Sequence, residues 1–390
     1  FIAWISSLGI LAQQVSWLAI PATIFITLAE LLMLTIPVAQ LIYYCLYKSC
    51  INENGMEMIQ ETHYNEIIEY IKSMPLMLNI SVLFSYILII LATIISNYKT
   101  TSTPNLIDNI SLTIITAIVI FLSIYLWKKK HGVFIRTAIV EFYLDVKEYL
   151  ATNLQYTQNM QERISKLQVT SLNQSQKPQT ILLVIGESAS RDYMKAFNKN
   201  YKYDTTPWLD QMAQRKNFIL FPNAFSTVPN TVLAVSKAMT EINQYNDKKF
   251  YESCSIIDIA HAVCYKVHWY SNQGHLGCAD TPVTLIANTA DVAKWTKQEL
   301  NQVQYDESLL DYLGELDPTK NNFLVVHLKG SHFNFLNRYP ESFTKFGTAG
   351  KYELELNYAN SIAYTDSVLE QIFNYAKDNL NLQAMVYFSD

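Results

Sequence analysis

The apolar positions of the chain follow two patterns, with a polar stretch between them. Residues 1–127 carry long apolar runs. The runs over 75–96 and 110–127 are each long enough to cross a hydrocarbon core of ~30 Å, which takes roughly 17 to 25 helical residues. A third stretch, 16–47, is apolar except for Glu30 and two prolines. The pattern predicts transmembrane helices over 1–130, with Glu30 either at a functional polar site or at a helix end facing water.

A helical periodicity follows the apolar runs. Apolar residues recur there at the spacing of one helix face, and they are Ile135, Ile139, Phe142, Val146 and Tyr149. Such a helix would lie on the membrane surface or pack against the globular part of the chain. The polar segment 171–179 contains Pro178 and predicts a linker. We therefore expect residues 131–178 to form amphipathic bridging helices and a linker.

Beyond the linker, short apolar runs alternate with helical patterns. One helical pattern covers 358–377. The strand-length runs are 181–185, 218–221, 266–270, 323–326 and 385–388. Alternation of this kind predicts an α/β domain with a largely parallel sheet over 179–390.

The loops indicate which side of a membrane the α/β domain occupies. The segment 52–70 carries five glutamates and no lysine or arginine, so we expect it outside the cytoplasm. Two further spans would return the chain to that side before the α/β domain begins. The basic run Lys128, Lys129 and Lys130 favours the opposite orientation, although long domains translocate regardless of such charges. We predict an extracytoplasmic domain.

Composition and charge give no support for a nucleic-acid-binding protein, and the cysteine spacing gives none for a CxxC metal or redox site. The chain has 390 residues, is 50% hydrophobic and carries a net charge of −5, so nothing favours a nucleic-acid partner. Its five cysteines form no CxxC pair. Two of Cys254, Cys264 and Cys278 would be joined in a disulfide if the domain is extracytoplasmic, and the alternative is that all three are free thiols. Because Phe1 lies inside an apolar stretch and Asp390 at a strand end, we expect both ends to be cut from a longer protein.

Two acidic residues follow predicted parallel strands. Glu187 comes directly after the run 181–185 and Gly186, and Asp390 comes after the run 385–388 and Ser389. The carboxyl ends of parallel strands meet at one edge of the sheet, which is where open α/β sheets bind ligands. Two converging carboxylates repel each other, so a cation between them is the expected arrangement. The sequence therefore predicts a metal site.

A threonine and a histidine are candidates for the chemistry at that edge. Thr231 opens a helical run at 231–239, where unpaired N–H groups would favour a phosphoryl group. Its hydroxyl would act as a nucleophile if a metal ionised it, or Thr231 would be an ordinary helix cap. His332 lies in a loop after the run 323–326, which suits a ligand or a general acid, whereas a structural role is the common one for a lone histidine.

Six segments in chain order resemble the membrane-anchored phosphoethanolamine transferases of Gram-negative bacteria, within the alkaline phosphatase/sulfatase superfamily. No single segment is decisive, but six in the same order behind an apolar region are specific. The segments are 181–191 (ILLVIGESASR), 203–209 (YDTTPWL), 225–239 (FSTVPNTVLAVSKAM), 327–340 (HLKGSHFNFLNRYP), 358–366 (YANSIAYTD) and 386–390 (VYFSD). The resemblance implies an N-terminal transmembrane helical bundle and a C-terminal α/β/α sandwich.

The resemblance also implies roles for matched residues. Glu187, Thr231 and Asp390 would bind zinc, and Thr231 would carry the phosphoethanolamine as a phosphothreonine. His332 would assist binding or proton transfer. Thr205 and Thr206 would belong to a loop near the site. In that family a histidine ligand follows the aspartate matched by Asp390, and the chain ends before it.

The implied reaction takes phosphoethanolamine from phosphatidylethanolamine to an envelope acceptor. Lipopolysaccharide is the expected acceptor, through lipid A or the core oligosaccharide, at a bacterial inner membrane with the catalytic domain in the periplasm. Two alternatives stay open. One is a glycerophosphate transferase of the lipoteichoic acid synthase type, and the other is a non-catalytic membrane scaffold that keeps the fold. A sulfatase is disfavoured because the sequence around Thr231 lacks the Cys/Ser-x-Pro-x-Arg motif.

Overall fold

The computed structural model describes residues 16–32, 76–102, 155–169, 177–273, 281–297, 303–347 and 353–390, with a few single positions between 114 and 147. The chain divides into two compact units, and the described residues from 155 onward belong to the second. Most of the predicted span 110–127 and of the amphipathic segment 135–149 lies outside the described residues. The acidic loop 52–70 and Cys278 also lie outside them.

Two helices are described in the first unit. A short turn at Ser16–Leu18 leads into helix α1 over 19–32, and helix α2 covers Leu76–Ser102. The side-chain amide of Asn97 on α2 donates hydrogen bonds to Thr27 Oγ1 at 3.1 Å and to Glu30 Oε2 at 2.6 Å. Glu30 is therefore hydrogen-bonded to the neighbouring helix. Within the described part of the chain, no helix combines the length and the apolar character needed to cross a membrane.

A five-stranded parallel sheet forms the centre of the second unit. Its strands lie in the order β3-β2-β4-β1-β5, and every neighbouring pair is parallel. The strands are β1 (Thr180–Gly186), β2 (Lys266–Ser271), β3 (Val292–Trp295), β4 (Asn322–His327) and β5 (Leu382–Ser389). Because they are parallel, their carboxyl ends share one edge of the sheet. The predicted α/β domain with a parallel sheet is confirmed.

Helices cover both faces of this sheet. Successive residues of β1 point to opposite faces, as strand geometry requires. Leu182 and Val184 belong to one buried cluster, and Leu183 and Ile185 belong to another. The helices are α3 (Met160–Lys166), α4 (Pro207–Met212), α5 (Thr231–Met239), α6 (Ile256–Ala262), α7 (Pro282–Ala287), α8 (Leu310–Leu313) and α9 (Leu354–Asn379). The first cluster includes side chains of α4 and α9, and the second includes side chains of α5, α6 and α7.

One predicted strand is wrong. The apolar run 218–221 is not a strand and has no strand partner among the described residues. Phe218 packs against a core cluster, but Ile219 and Phe221 are exposed and the chain turns at Pro222. The remaining strand is instead β3, which has only four half-buried residues and pairs with β2 alone. A run this short at the edge of a sheet carries little apolar pattern.

A buried ion pair attaches α3 to the α/β domain. Arg163 Nε donates to Asp258 Oδ2 at 3.0 Å, and Arg163 Nη2 donates to Asp258 Oδ1 at 3.3 Å. Arg163 also donates to the carbonyl of Tyr156, and its guanidinium lies 3.8 Å from the centre of the Tyr156 ring. Asp258 forms a capping box with Ser255 at the start of α6. Both charges are out of solvent, so removing one leaves the other uncompensated.

The Arg163→Ala variant should therefore lower the free energy of unfolding by about 3 to 5 kcal/mol. Denaturant unfolding followed by tryptophan fluorescence measures the change. Lys166→Ala is the matched control on the same helix, because the Lys166–Glu162 pair is exposed to solvent and should contribute little to stability. Equal losses in the two variants would contradict the role assigned to the buried pair.

Candidate active site

The two carboxylates predicted from the strand ends lie side by side. Glu187 follows β1 and Asp390 follows β5, and these strands are neighbours in the sheet. Their register pairs Gly186 with Ser389, so each acid comes one residue after a matched pair. The backbone N–H of Ser188 donates to Asp390 Oδ1 at 2.6 Å, which connects the two strand ends directly.

Thr231 reaches both carboxylates from the first turn of α5. The helix cap is Asn230, whose side chain accepts a hydrogen bond from the N–H of Leu233 at 3.2 Å. The interpretation of Thr231 as an ordinary cap is therefore wrong. Thr231 Oγ1 lies 3.1 Å from Glu187 Oε1, 3.2 Å from Glu187 Oε2 and 2.6 Å from Asp390 Oδ2. The structure brings together the two acids predicted from the strand ends and Thr231, the three residues that the family resemblance implies as metal ligands.

These oxygens include more acceptors than the hydroxyl can satisfy. A threonine hydroxyl has one proton, and ionised carboxylates only accept. Burial and the neighbouring Asp390 carboxylate hold the pKa of Glu187 well above its usual range. The cluster therefore favours an additional positive species among its oxygens, which can be a proton or a metal cation.

Two side-chain hydrogen bonds orient the Glu187 carboxylate. Ser188 Oγ donates to Glu187 Oε1 at 2.9 Å, and Gln273 Nε2 donates to Glu187 Oε2 at 3.4 Å. The same Gln273 amide donates to the carbonyl of Leu328 at 2.7 Å. Ser188 has a φ of 51°, a left-handed conformation that is uncommon for a residue with a side chain. Strained backbone of this kind is frequent at functional sites.

The loop after β4 packs against the backbone of Glu187. Asp306 is buried, and its carboxylate accepts the N–H of Lys329 at 2.7 Å and that of Gly330 at 2.8 Å. The carbonyl of Glu187 accepts the N–H of Ser331 at 2.9 Å. Gly330 has a φ of 52°, and a Cβ there would lie 2.8 Å from the Glu187 nitrogen. Only glycine combines this conformation with so close an approach.

Two histidines, His327 and His332, lie at the end of β4 and in the loop that follows it. His332 is in the loop after β4, where its N–H donates to the carbonyl of Lys329 at 3.2 Å. The hydrogen bonds that the described residues make to the oxygens of Glu187, Thr231 and Asp390 do not include the His332 ring. His327 ends β4 as a buried residue, and burial lowers its pKa to about 4. Its Nε2 has no hydrogen-bond partner in the described part of the chain.

Thr205 and Thr206 are structural in their contacts. Thr205 Oγ1 accepts from the N–H of Lys195 at 3.1 Å and donates to the carbonyl of Tyr193 at 2.7 Å. Thr206 Oγ1 accepts from the N–H of Ala196 at 2.8 Å. Both side chains are buried, so their hydroxyls fix the loop that follows Glu187. Among the described residues, neither hydroxyl is hydrogen-bonded to the side chains of Glu187, Thr231 or Asp390.

Sequence reasoning missed three residues beside the cluster, namely Gln273, Asp306 and Lys329. Gln273 lies two residues beyond β2, so the strand-end rule that found Glu187 and Asp390 would also have pointed to it. Lys329 lies two residues beyond β4, where the same rule applies. Asp306 lies in a short helical turn between β3 and α8, and no pattern in the sequence distinguishes it from a surface acid.

The atoms at the site that could bind a metal are all oxygens. In the described part of the chain, no three His, Cys, Asp or Glu side chains group together as a metal site. Two carboxylates and one hydroxyl nevertheless converge, and such oxygens are accepted by zinc and by harder divalent cations. Cys254 and Cys264 are free thiols. The disulfide alternative is therefore wrong for a bond between these two.

The fold and the site together define a class. It is a parallel, three-layer α/β domain whose sheet delivers two carboxylates to a hydroxyl at the start of a helix. The chain belongs to the sulfatase family, because residues 179–390, more than half of its length, match that family. The superfamily given by the sequence resemblance is confirmed.

The similarity to individual proteins is more informative than the match to the family. The chain is 29% identical over 229 residues to the phosphoethanolamine transferase EptC of Escherichia coli K12, an alignment that covers 55% of this chain and 39% of that protein. The chain thus spans about two fifths of that relative. The zinc complex of the C-terminal periplasmic domain of E. coli EptC is a similar structure, with a TM-score of 0.50 and 28% identity over 55% of this chain and 64% of the other.

A solved integral membrane protein is also similar in fold. The integral membrane lipooligosaccharide phosphoethanolamine transferase A of Neisseria meningitidis aligns with a TM-score of 0.56, over 100% of this chain and 81% of the other. Its sequence identity is 15%, so this likeness concerns the fold alone.

The packing of Gly330 against Glu187 gives a direct prediction. Gly330→Ala should lower the free energy of unfolding more than Gly347→Ala does. Both glycines have positive φ, which costs a substituted residue roughly 1 to 2 kcal/mol, but a Cβ at Gly347 would meet nothing within 4 Å. The clash with the Glu187 backbone should add about 1 to 3 kcal/mol. Denaturant unfolding of both variants measures the difference, and equal losses would contradict the packing argument.

Proposed function

We propose that this chain transfers phosphoethanolamine from phosphatidylethanolamine to an acceptor of the cell envelope, with lipid A or core oligosaccharide as the expected acceptor. The relatives named phosphoethanolamine transferases support this substrate class. The observation that carries the proposal is the position of Thr231, whose hydroxyl lies against Glu187 and Asp390 at the start of a helix.

The position of Thr231 suits a nucleophile for phosphoryl transfer. Helix N-termini present unpaired N–H groups and a partial positive charge, and both favour phosphoryl oxygens. Thr231 is the first residue of α5, a helix of nine residues. Asp390 Oδ2, 2.6 Å from Thr231 Oγ1, is the carboxylate oxygen placed to accept the hydroxyl proton. A threonine hydroxyl needs such activation because it is a poor nucleophile by itself.

Zinc is the cofactor we propose for this cluster. Glu187, Thr231 and Asp390 would hold it, since their oxygens converge and the crowded carboxylates favour a cation. The zinc complex of the EptC domain supports the same choice of metal. When bound, zinc would act as a Lewis acid that favours the ionised hydroxyl and the charge on the phosphoryl oxygens.

The proposed reaction has two steps. Thr231 Oγ1 attacks the phosphorus of phosphatidylethanolamine, the bond from phosphorus to the glycerol oxygen breaks, and diacylglycerol leaves. An acceptor hydroxyl or phosphate then attacks the phosphothreonine and releases Thr231. We assign His332, in the loop beside Glu187, to binding the transferred group or to moving a proton to the leaving oxygen.

The proposed location follows from the lipid donor. A headgroup lies at the membrane interface, so an enzyme that uses it gains from a membrane anchor. We propose an inner-membrane protein with helices over 1–130, a bridging segment over 131–178 and a periplasmic catalytic domain over 179–390. The like-folded integral membrane protein supports this arrangement at the level of the fold.

Thr231→Val removes the hydroxyl and keeps the shape of the side chain. In the full chain this variant should lose diacylglycerol release from phosphatidylethanolamine by about a thousandfold or more, because the nucleophile is gone. Thr231→Ser keeps a hydroxyl and should keep measurable turnover. Release of diacylglycerol from labelled lipid measures both. Turnover by Thr231→Val at the level of the unaltered chain would overturn the assignment of the nucleophile.

Mass spectrometry of the trapped protein distinguishes the alternatives. A phosphoethanolamine adduct on Thr231 supports the proposal. A glycerophosphate adduct on Thr231 would instead identify a transferase of the lipoteichoic acid synthase type. A protein that acquires no adduct from either lipid and binds no zinc would be a non-catalytic scaffold.

A further inference from the structure

Ser188 contacts both carboxylates of the site through different atoms. Its Oγ donates a hydrogen bond to Glu187 Oε1 at 2.9 Å, and its backbone N–H donates to Asp390 Oδ1 at 2.6 Å. The second of these bonds engages Oδ1 of Asp390, while Oδ2 of the same carboxylate lies 2.6 Å from the Thr231 hydroxyl. The position of Ser188 therefore determines how both acids face Thr231.

The turn that contains Ser188 lies at the surface and is strained. Ser188 and Ser190 are exposed to solvent, and Ser188 has a φ of 51°, which is left-handed. Strained backbone persists only where its surroundings hold it in place, and at an exposed turn hydrogen bonds must do this rather than core packing. The N–H of Ala189 donates one such bond, to Ser389 Oγ at 2.9 Å.

The phenol of Tyr358 supplies two more bonds to this turn. Its hydroxyl donates to the carbonyl of Ser188 at 2.6 Å and accepts the N–H of Ser190 at 2.8 Å. One hydroxyl can make both bonds at once, because it is a donor and an acceptor. The turn is thereby attached to α9, a helix whose side chains belong to the core of the domain.

Two other aromatic rings hold the phenol itself. The centre of the Tyr358 ring lies 4.8 Å from that of Phe335 and 5.1 Å from that of Tyr193. Aromatic pairs at such distances are favourable, so the ring has a defined position. Its oxygen is therefore a fixed point of attachment for the backbone on both sides of Ala189.

We propose that Tyr358 is a positioning residue whose hydroxyl holds Ser188 in its left-handed conformation and thereby orders the two carboxylates before a metal binds. This inference rests on the proposed function, because it takes zinc as the metal of the cluster. Tyr358 acts through the backbone of Ser188 and has no assigned contact with metal or lipid. Contacts that orient metal ligands in this way commonly contribute about ten- to hundredfold to metal affinity.

Tyr358→Phe removes the hydroxyl and keeps the ring. In the full chain this variant should bind zinc about tenfold more weakly, because the carboxylates must then be ordered as the metal binds. Competition with a chromophoric chelator measures the affinity. Diacylglycerol release should fall when zinc is limiting and recover when zinc is in excess, since mass action compensates for weaker binding.

Hydrogen exchange of the metal-free protein gives a second measurement that does not depend on zinc. The N–H of Ser190 loses its acceptor in Tyr358→Phe, and the turn loses its attachment to α9. Peptides that contain 188–190 should therefore exchange faster than in the unaltered chain, whereas peptides from β2 and β4 should exchange at the same rate. Mass spectrometry after timed labelling measures the exchange.

Tyr193→Phe is the matched control. It removes a hydroxyl from a ring that contacts Tyr358 and keeps the ring contact itself. Zinc affinity and exchange of 188–190 should both stay at the level of the unaltered chain. Thermal unfolding of the metal-free proteins shows whether each variant is folded.

The outcomes separate this inference from the proposed function. Weaker zinc binding and faster exchange in Tyr358→Phe, with neither change in Tyr193→Phe, support the positioning role. If either quantity is unchanged in Tyr358→Phe, if the control changes by as much, or if Tyr358→Phe fails to fold, the inference is overturned and the proposed function stands. If the unaltered chain itself binds no zinc, the proposed cofactor is wrong and the inference fails with it.

Discussion

Three carboxylate oxygens lie within hydrogen-bonding distance of one hydroxyl, that of Thr231. The function proposed for the site depends on this close approach. Thr231 Oγ1 lies within 3.2 Å of both oxygens of Glu187 and within 2.6 Å of Asp390 Oδ2. A single hydroxyl proton cannot satisfy these acceptors, and burial keeps water away from the Glu187 carboxylate. The arrangement is stable only with a further positive species. The same imbalance, which would be costly in an ordinary core, is the reason that we propose this cluster as the site of a metal and a phosphoryl group.

The backbone of the sheet, of helix α5 and of the loop after β4 holds Glu187, Thr231 and Asp390 close together. Strands β1 and β5 are parallel neighbours in matched register, so Glu187 and Asp390 leave the sheet together. Helix α5 begins at the same edge, and Asn230 caps it so that the Thr231 hydroxyl is available. On the other side of Glu187, the loop after β4 packs so closely that a side chain at Gly330 would collide with its backbone. Strand β5, helix α5 and the loop after β4 therefore all limit the positions that the Glu187 side chain can take.

The sequence predicted the parts of the molecule that rest on long or repeated patterns. Four of the five predicted strands, the long helix α9 and the helix at 231–239 are present, because each has a clear apolar period or run. The strand-end rule found Glu187 and Asp390. The run 218–221 failed because an apolar segment becomes a strand only when a neighbour supplies hydrogen bonds, and β3 was missed because it is short and half-buried. Gln273 and Lys329 were missed although both lie just beyond strand ends, and Asp306 was missed because its role comes from contacts with the loop after β4.

Anomalous diffraction from crystals of the protein grown with zinc tests the central claim most directly. Data collected on either side of the zinc absorption edge locate the metal independently of any assumption about its ligands. The account predicts a zinc peak within bonding distance, roughly 2 Å, of oxygens from Glu187, Thr231 and Asp390. Zinc bound elsewhere while these three side chains keep their mutual contacts would contradict it.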